Sequence, residues 1–274
     1  MEEKEFFTAA LHHTMDLWYA HQGTCVYLLT DLPEGCERKA GYTDSGWTTY
    51  ERCSAEQIKK SSMNHAQHKL VLNLGTAGGA VGSVSNWPVG PDDFDELIAT
   101  KTFTNGADME AVQGLFRKMS TNQLGGIKLL DFVNMQAPSA EEASALGRCL
   151  RLCDNLEKLE LNNVGLDDVT CCSLFSNLSE GSLPSLTELD LSCNSIGDAG
   201  LASITEAVSR SLSLSQQRCA LNLCGNAYSR HAQAAFKSAI GGRCAVELGD
   251  VYVREQRKDA YDDWTSYHDI DVAL

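Results

Sequence analysis

Apolar residues recur with a fixed spacing in the second half of the chain, in the frame L-x-x-L-x-L-x-x-N-x-L. Two units fit this frame almost fully, and their matching residues are Leu156, Leu159, Leu161, Val164 and Leu166, then Leu186, Leu189, Leu191, Asn194 and Ile196. Looser units start at Ile127 and Arg218, and a degraded fifth unit starts at Arg243. The successive units start about 30 residues apart. A sequence repeat of this length is typical of proteins built from stacked structural units.

Each unit predicts one short strand followed by one helix. The two leucines of L-x-L lie on one face of a strand, and the asparagine side chain can bond to backbone groups where the chain turns. Ser139 and Glu142 have the spacing of a capping box at the start of the first helix. In the later helices the spacing predicts buried faces, formed by Val169, Cys172, Phe175 and Leu178, then by Ala232, Ala235, Phe236 and Ala239. Alternating strands and helices at this period predict a right-handed α/β solenoid with a parallel sheet.

These units resemble leucine-rich repeats of the ribonuclease-inhibitor type, most clearly over residues 189–201. The resemblance covers about residues 124–250. It implies a short solenoid that binds a partner protein through its concave face.

Residues 1–121 follow a different pattern. Residues 25–30 and 69–74 are predicted to form strands, and residues 47–60 between them a helix. A crossover of this length predicts a parallel pair of strands in a small α/β layer. Further helices are predicted over residues 4–20, from Asp92, and from Asp108 to Lys118, and residues 92–121 are positioned to cap the first repeat.

The sequences YLLT at residues 27–30 and SGWTTYE at residues 45–51, followed by the strand at 69–74, resemble the later half of a TIR-like domain. The stretches 17–21, 46–54 and 103–108 are similar to algal and protist proteins that join such a module to repeats. In NAD-cleaving TIR domains the glutamate of W-x-x-x-E is catalytic, and Glu51 takes that place. The first predicted strand begins at Cys25, so the opening strands and the nucleotide-closing loop of those enzymes have no counterpart here. We therefore expect Trp47 to pack in the core and Glu51 to cap a helix or pair with a neighbour.

Composition and charge exclude several classes of function. Apolar residues make up 43% of the chain and charged residues 22%, as in folded globular proteins. The net charge of -15 would repel a phosphate backbone, so we expect no binding to nucleic acid or to anionic membranes. No apolar run is long enough to span a bilayer, and the acidic start at Met1 is unlike a targeting signal, so we expect a cytoplasmic protein.

Motifs for cofactors and metals are absent from the sequence. The 11 cysteines include no C-x-x-C pair, and we expect reduced, mostly buried thiols. His65 and His68 are three residues apart without further ligands, and the glycine-rich stretch 74–82 lacks the spacing of a phosphate loop. We therefore expect a non-enzymatic interaction protein without a metal or cofactor. Two alternatives remain open: a nucleotide-hydrolysing or NAD-cleaving TIR-like enzyme relying on Glu51, and a truncated structural fragment of a larger receptor-like protein.

The candidate binding residues lie between the leucines of each strand, because successive side chains of a strand point to opposite faces. The middle positions of the five units are Asp131, Glu160, Asp190, Asn222 and Glu247. The flanking candidates are Lys158, Asn162, Glu188 and Ser192. Like charges in neighbouring strands repel, so this row has no evident stabilising role, and it predicts recognition of a protein with a basic surface. The alternative is a solvated face of an acidic protein.

The sequence thus predicts an α/β protein in three parts. Residues 1–121 form a small, partial TIR-like segment, and residues 122–250 form the leucine-rich-repeat solenoid. Residues 251–274 form an acidic tail that we expect to be mobile.

Overall fold

The structure is a computed structural model that describes residues 18–21, 23–31, 35, 41–59, 71–75, 87–210, 219–240 and 245–248. It is an α/β structure with parallel strands and helices. The predicted tail at 251–274 and most of the predicted helix at 4–20 lie outside the described residues.

The first part of the chain pairs two short strands around a helix. Its elements are β1 (Val26–Leu28), a 3-10 turn (Tyr42–Asp44), α1 (Gly46–Glu56), β2 (Val71–Asn73), α2 (Pro91–Ala99) and α3 (Asp108–Gly126). Strands β1 and β2 are parallel, with Val26 beside Val71, which confirms the predicted pair. The predicted helix at 47–60 ends earlier, at Glu56, and the last helix continues beyond Lys118 to Gly126.

Three aromatic rings hold these helices together. Phe94 of α2 stacks on Phe116 of α3 with ring centroids 3.8 Å apart. Tyr50 of α1 meets both rings edge-on, with centroids 6.5 Å and 6.4 Å away. All three residues are fully buried, so this aromatic cluster fixes α1 against α2 and α3.

The repeats form a five-stranded parallel sheet. Its elements are β3 (Leu129–Asp131), α4 (Ala140–Leu150), β4 (Lys158–Glu160), α5 (Asp168–Phe175), β5 (Glu188–Asp190), α6 (Asp198–Arg210), β6 (Ala220–Asn222), α7 (Arg230–Ile240) and β7 (Ala245–Glu247). The strands lie in sequence order, β3-β4-β5-β6-β7. The register places Leu189 between Leu159 and Leu221, and all three are buried. The leucine frame therefore predicted both the strands and their register.

The helix starts follow the predicted chemistry, but two of the predicted helix faces are correct only in part. The Ser139 hydroxyl accepts a hydrogen bond from the Glu142 N–H at 3.2 Å, and the Glu142 carboxylate accepts one from the Ser139 N–H at 2.8 Å. Phe175 and Leu178 are buried as predicted, but Val169 on α5 is 62% exposed. Cys171 and Leu174 complete the buried face of this helix.

Helix α7 packs on its larger residues. Phe236 and Ile240 are buried, whereas Ala235 and Ala239 are exposed. An alanine contributes little apolar area, so the larger side chains, four residues apart, decide which face of the helix packs inward.

Two buried asparagines connect neighbouring repeats, as the frame predicted. The Asn194 side-chain oxygen accepts hydrogen bonds from the N–H groups of Val164 and Leu166 at 3.1 and 3.0 Å. Its amide nitrogen donates to the carbonyls of Leu161, Leu191 and Ser192 at 2.8, 3.0 and 3.2 Å. Asn226 makes the corresponding bonds one repeat later, accepting from the Ile196 N–H at 3.1 Å. Each asparagine thus satisfies backbone groups of its own repeat and of the preceding one.

The first part of the chain packs directly on the first repeat. Leu124, near the end of α3, belongs to the core of the repeats. The Trp87 ring lies 5.2 Å from that of Phe132, and Arg148 of α4 forms an ion pair with Asp93 of α2. Residue 121 lies within α3, and the proposed division at this residue stays a prediction.

Candidate functional site

The candidate site is the side of the five-stranded sheet that faces away from the buried leucines, here called the open face. Adjacent strands place its side chains in register, since Asp131 pairs with Glu160, Glu160 with Asp190, Asp190 with Asn222, and Asn222 with Glu247. We call these five residues the acidic row. The structure therefore brings together the middle positions identified in the sequence.

The members of the acidic row differ in exposure. Glu247 is exposed, while Glu160, Asp190 and Asn222 are half-buried. Asp131 is only 6% exposed, so its carboxylate offers little surface to a partner. Of the flanking candidates, Lys158, Asn162 and Glu188 are half-buried and Ser192 is buried.

Three members of the acidic row have a local role in the fold. The side-chain oxygens of Asp131, Asp190 and Asn222 accept hydrogen bonds from the N–H two residues further on, at 3.2, 2.8 and 3.1 Å. Such bonds stabilise the turn that ends each strand. The expectation that the row has no stabilising role is therefore wrong at these three positions.

Lys158 reduces the charge repulsion in the middle of the sheet. Its ammonium group lies 3.0 Å from a carboxylate oxygen of Glu160 and 2.8 Å from one of Glu188. Hydrogen bonds to these two carboxylates raise the pKa of Lys158 above its usual range. In the next strand pair, the Asn222 amide donates to Asp190 at 3.3 Å. Within the described strands, the open face thus carries five carboxylates, at Asp131, Glu160, Glu188, Asp190 and Glu247, and one ammonium group.

A depression of about 280 Å³ lies at the β5–β7 end of the open face. Its lining residues are Glu188, Asp190, Ala220, Leu221, Asn222, Val246 and Glu247. The lining combines carboxylates with small or apolar side chains. Ala220 was not identified as a site residue from the sequence, although continuing the period-two alternation to two residues before Asn222 would have found it. Val246 is in register with Leu221 and packs against the core of the repeats.

Glu51 lies in the first part of the chain, on α1. Its carboxylate accepts a hydrogen bond from the Tyr19 hydroxyl at 3.0 Å. Burial raises the pKa of Glu51, and the bond from Tyr19 opposes that shift. Burial and the neighbouring carboxylate raise the pKa of Tyr19 to about 12. The Trp47 ring packs against the aromatic cluster and its N–H donates to Asp108 at 3.0 Å, so Trp47 and Glu51 have the structural contacts expected of them.

We expect no NAD cleavage by the purified protein, because a single carboxylate already bonded to Tyr19 lacks the groups that would orient a nucleotide and stabilise a departing nicotinamide. Nicotinamide release should stay at the background of a protein-free sample, for the wild type, for Glu51→Gln and for the surface control Glu110→Gln. Release by the wild type and the control that disappears in Glu51→Gln would contradict this expectation.

Among the described residues, no group of three or more His, Cys, Asp and Glu side chains is arranged to hold a metal ion. No helix in the same set of residues is both long enough and apolar enough to cross a membrane. His65, His68 and most of the glycine-rich stretch lie outside the described residues.

Comparison with known proteins bears on the repeats. Residues 182–204 match the family model for a leucine-rich repeat. The chain contains a leucine-rich repeat. The matched segment includes β5, the buried Asn194 and the first half of α6, so the match falls on the unit that best fits the frame.

Further comparisons add little to this assignment. A search of curated proteins found no match to the chain. Among solved structures, the chain is similar to "Leiomodin-1 Actin-Binding Site 2 (ABS2)", with 14% sequence identity and a TM-score of 0.38. That similarity covers 54% of this chain and 94% of the other.

Proposed function

We propose that this protein is a non-enzymatic interaction module whose open face binds a protein with a basic surface. The proposed architecture is a short solenoid of ribonuclease-inhibitor-type repeats, preceded by the later half of a TIR-like module. The observation that carries the proposal is the continuous row of outward side chains across five parallel strands. The helices pack against the leucines of the other face, which leaves the open face as the surface presented by the sheet.

Charge supports a cationic partner. Five carboxylates and one ammonium group give the open face a strong negative potential, which speeds association with a basic surface and disfavours acidic partners. Lys158 already pairs with Glu160 and Glu188, so the largest uncompensated charge lies towards Asp190 and Glu247.

The depression at this end of the sheet fits the side chains of a basic partner. Lysine and arginine combine an apolar stem with a charged head. Ala220 can contact the stem, while Asp190 and Glu247 can pair with the head. We therefore place the centre of binding between β5 and β7.

The test is affinity capture by the full chain from the cells that express it, comparing two variants of equal net charge. The open-face variant carries Glu188→Gln, Asp190→Asn and Glu247→Gln. Asp190→Asn keeps the turn, since Asn222 makes the same backbone bond in the next strand. The control carries Glu110→Gln, Glu141→Gln and Glu180→Gln, which change exposed acids outside the sheet.

We expect a partner that is retained by the wild type and the control, and reduced about tenfold or more with the open-face variant. High salt should weaken the retention, because surface charges are screened. A partner retained equally by all three proteins, at low and high salt, would show that the open face is a solvated surface.

A further inference from the structure

Cys193 occupies an unusual backbone position. In some repeats another residue takes the position of the frame asparagine. The residue just before this position adopts a left-handed backbone conformation in four successive repeats. Its φ angle is 60° at Asn134, 53° at Asn163, 56° at Cys193 and 70° at Gly225. Asparagine and glycine tolerate this conformation, whereas a cysteine there is strained. The third repeat therefore holds an exposed thiol at a position where Asn or Gly would be more stable. Strain of this kind, kept at an exposed reactive group, points to a function of that group.

Cys224 lies beside Cys193 in the neighbouring repeat. The Cys193 N–H donates a hydrogen bond to the Cys224 carbonyl at 2.8 Å. With standard bond lengths this contact limits the two Cα atoms to a separation of about 6.7 Å, within the range of about 4.4–6.8 Å found in disulfides. A Cβ atom built on Gly225, the residue after Cys224, would lie 3.5 Å from the Cys193 sulfur, so this thiol lies against the neighbouring repeat.

The two thiols differ in accessibility. Cys193 is exposed and Cys224 is half-buried. Burial and then the carboxylates of Glu247 and Asp190 raise the pKa of the Cys224 thiol. Because the thiolate is the reactive form and the surroundings of Cys224 disfavour it there, the exposed Cys193 reacts first and Cys224 reacts second. The same carboxylates repel anionic oxidants, which favours a small neutral one.

We propose that Cys193 and Cys224 form a reversible thiol–disulfide site whose oxidant is hydrogen peroxide. The Cys193 thiolate attacks one peroxide oxygen, the O–O bond breaks, and the leaving hydroxide takes a proton to become water. The sulfur of Cys224 then attacks the resulting sulfenic acid, the S–O bond breaks, and the hydroxyl leaves as a second water with the Cys224 proton. The two thiols lose two electrons, and the peroxide is reduced to two waters.

The site is tested on the reduced full chain with one equivalent of hydrogen peroxide. After alkylation of the remaining thiols under denaturing conditions, unreduced peptides are mapped by mass spectrometry. We expect the main oxidised product to be a disulfide joining the peptides of Cys193 and Cys224, and we expect dithiothreitol to reverse it. Cys25, exposed in the first part of the chain, reports on the general reactivity of an exposed thiol towards peroxide.

Two variants copy residues that the repeats already contain at these positions. Cys193→Asn matches Asn163, and Cys224→Ser matches Ser192, so both are expected to keep the fold. Cys224→Ser should stop at a sulfenic acid on Cys193 that dimedone labels. Cys193→Asn should reduce oxidation of Cys224 by about tenfold or more, because the first reacting thiol is gone. A wild type that forms no linked peptide while Cys193 is oxidised further, or a Cys224 that oxidises equally in Cys193→Asn, would overturn the proposal.

Discussion

Replacing Leu189 with alanine is expected to lower the free energy of unfolding by about 2–5 kcal/mol. The side chain is 2% exposed and lies in register between Leu159 and Leu221, in the central strand of the five. Removing it leaves a cavity that the stacked strands cannot close without shifting neighbouring repeats. Urea denaturation followed by circular dichroism measures the loss.

The matched control for this substitution is Leu29→Ala. Leu29 is 69% exposed, so the same change should alter the free energy of unfolding by less than about 0.5 kcal/mol. Equal effects of the two substitutions would contradict the assignment of Leu189 to the core between sheet and helices.

The second large effect is expected for Asn194→Ala, at about 3 kcal/mol of lost stability. The buried Asn194 side chain makes five hydrogen bonds to the backbone of two repeats, including those from the Val164 and Leu166 N–H groups. Alanine leaves these groups buried without a partner, which costs more than the loss of an exposed bond.

Hydrogen exchange separates this effect from a general loosening of the chain. The amides of Val164 and Leu166 should exchange faster in Asn194→Ala, since they lose their acceptor. Asn162→Ala removes an amide from the open face and should leave both stability and these two amides nearly unchanged. Unchanged protection of Val164 and Leu166 in Asn194→Ala would contradict the proposed connection between repeats.

The strand register could be predicted because only one pairing of the strands keeps the frame leucines on the buried face. Side chains alternate along a strand, so shifting β5 by one residue would expose Leu189 and Leu191 and bury Asp190. The buried asparagines follow from the same frame. The register of the sheet is therefore encoded locally, within each unit.

The helix faces were less predictable, because the short helix α5 has apolar or sulfur-containing side chains on several sides. Val169 fits a helical spacing with Cys172 and Phe175, yet it lies outward. The choice between such faces depends on the neighbouring helices, which the local pattern does not describe.

The end of α1 shows the same dependence on distant parts of the chain. The Gln57 amide donates to the carbonyl of Val89 at 3.0 Å, and the Lys59 ammonium donates to that of His21 at 2.6 Å. Burial lowers the pKa of Lys59 to about 8. Gln57 and Lys59 follow α1 and bond to backbone groups that are distant in sequence. The local sequence pattern does not show these contacts, and it therefore extends the predicted helix beyond Glu56.

The candidate site was predictable in its position and less so in its chemistry. The alternation of side chains placed the acidic row correctly on the open face. The turn-stabilising bonds of Asp131 and Asp190 depend on the backbone conformation after the strand, which charge patterning does not indicate. The thiol of Cys193 was not identified as a site, although comparing the units shows Asn, Asn, Cys and Gly at this position.

The central claim, that the open face binds the partner, is tested most directly by carboxylate footprinting of the captured complex. A carbodiimide couples a neutral amine to accessible carboxylates, and mass spectrometry compares labelling in the free and the bound chain. The account predicts that binding strongly reduces labelling of Glu188, Asp190 and Glu247 and leaves that of Glu110 and Glu141 unchanged. Equal labelling of the open-face carboxylates in the free and bound chain, with protection of Glu110 or Glu141, would contradict it.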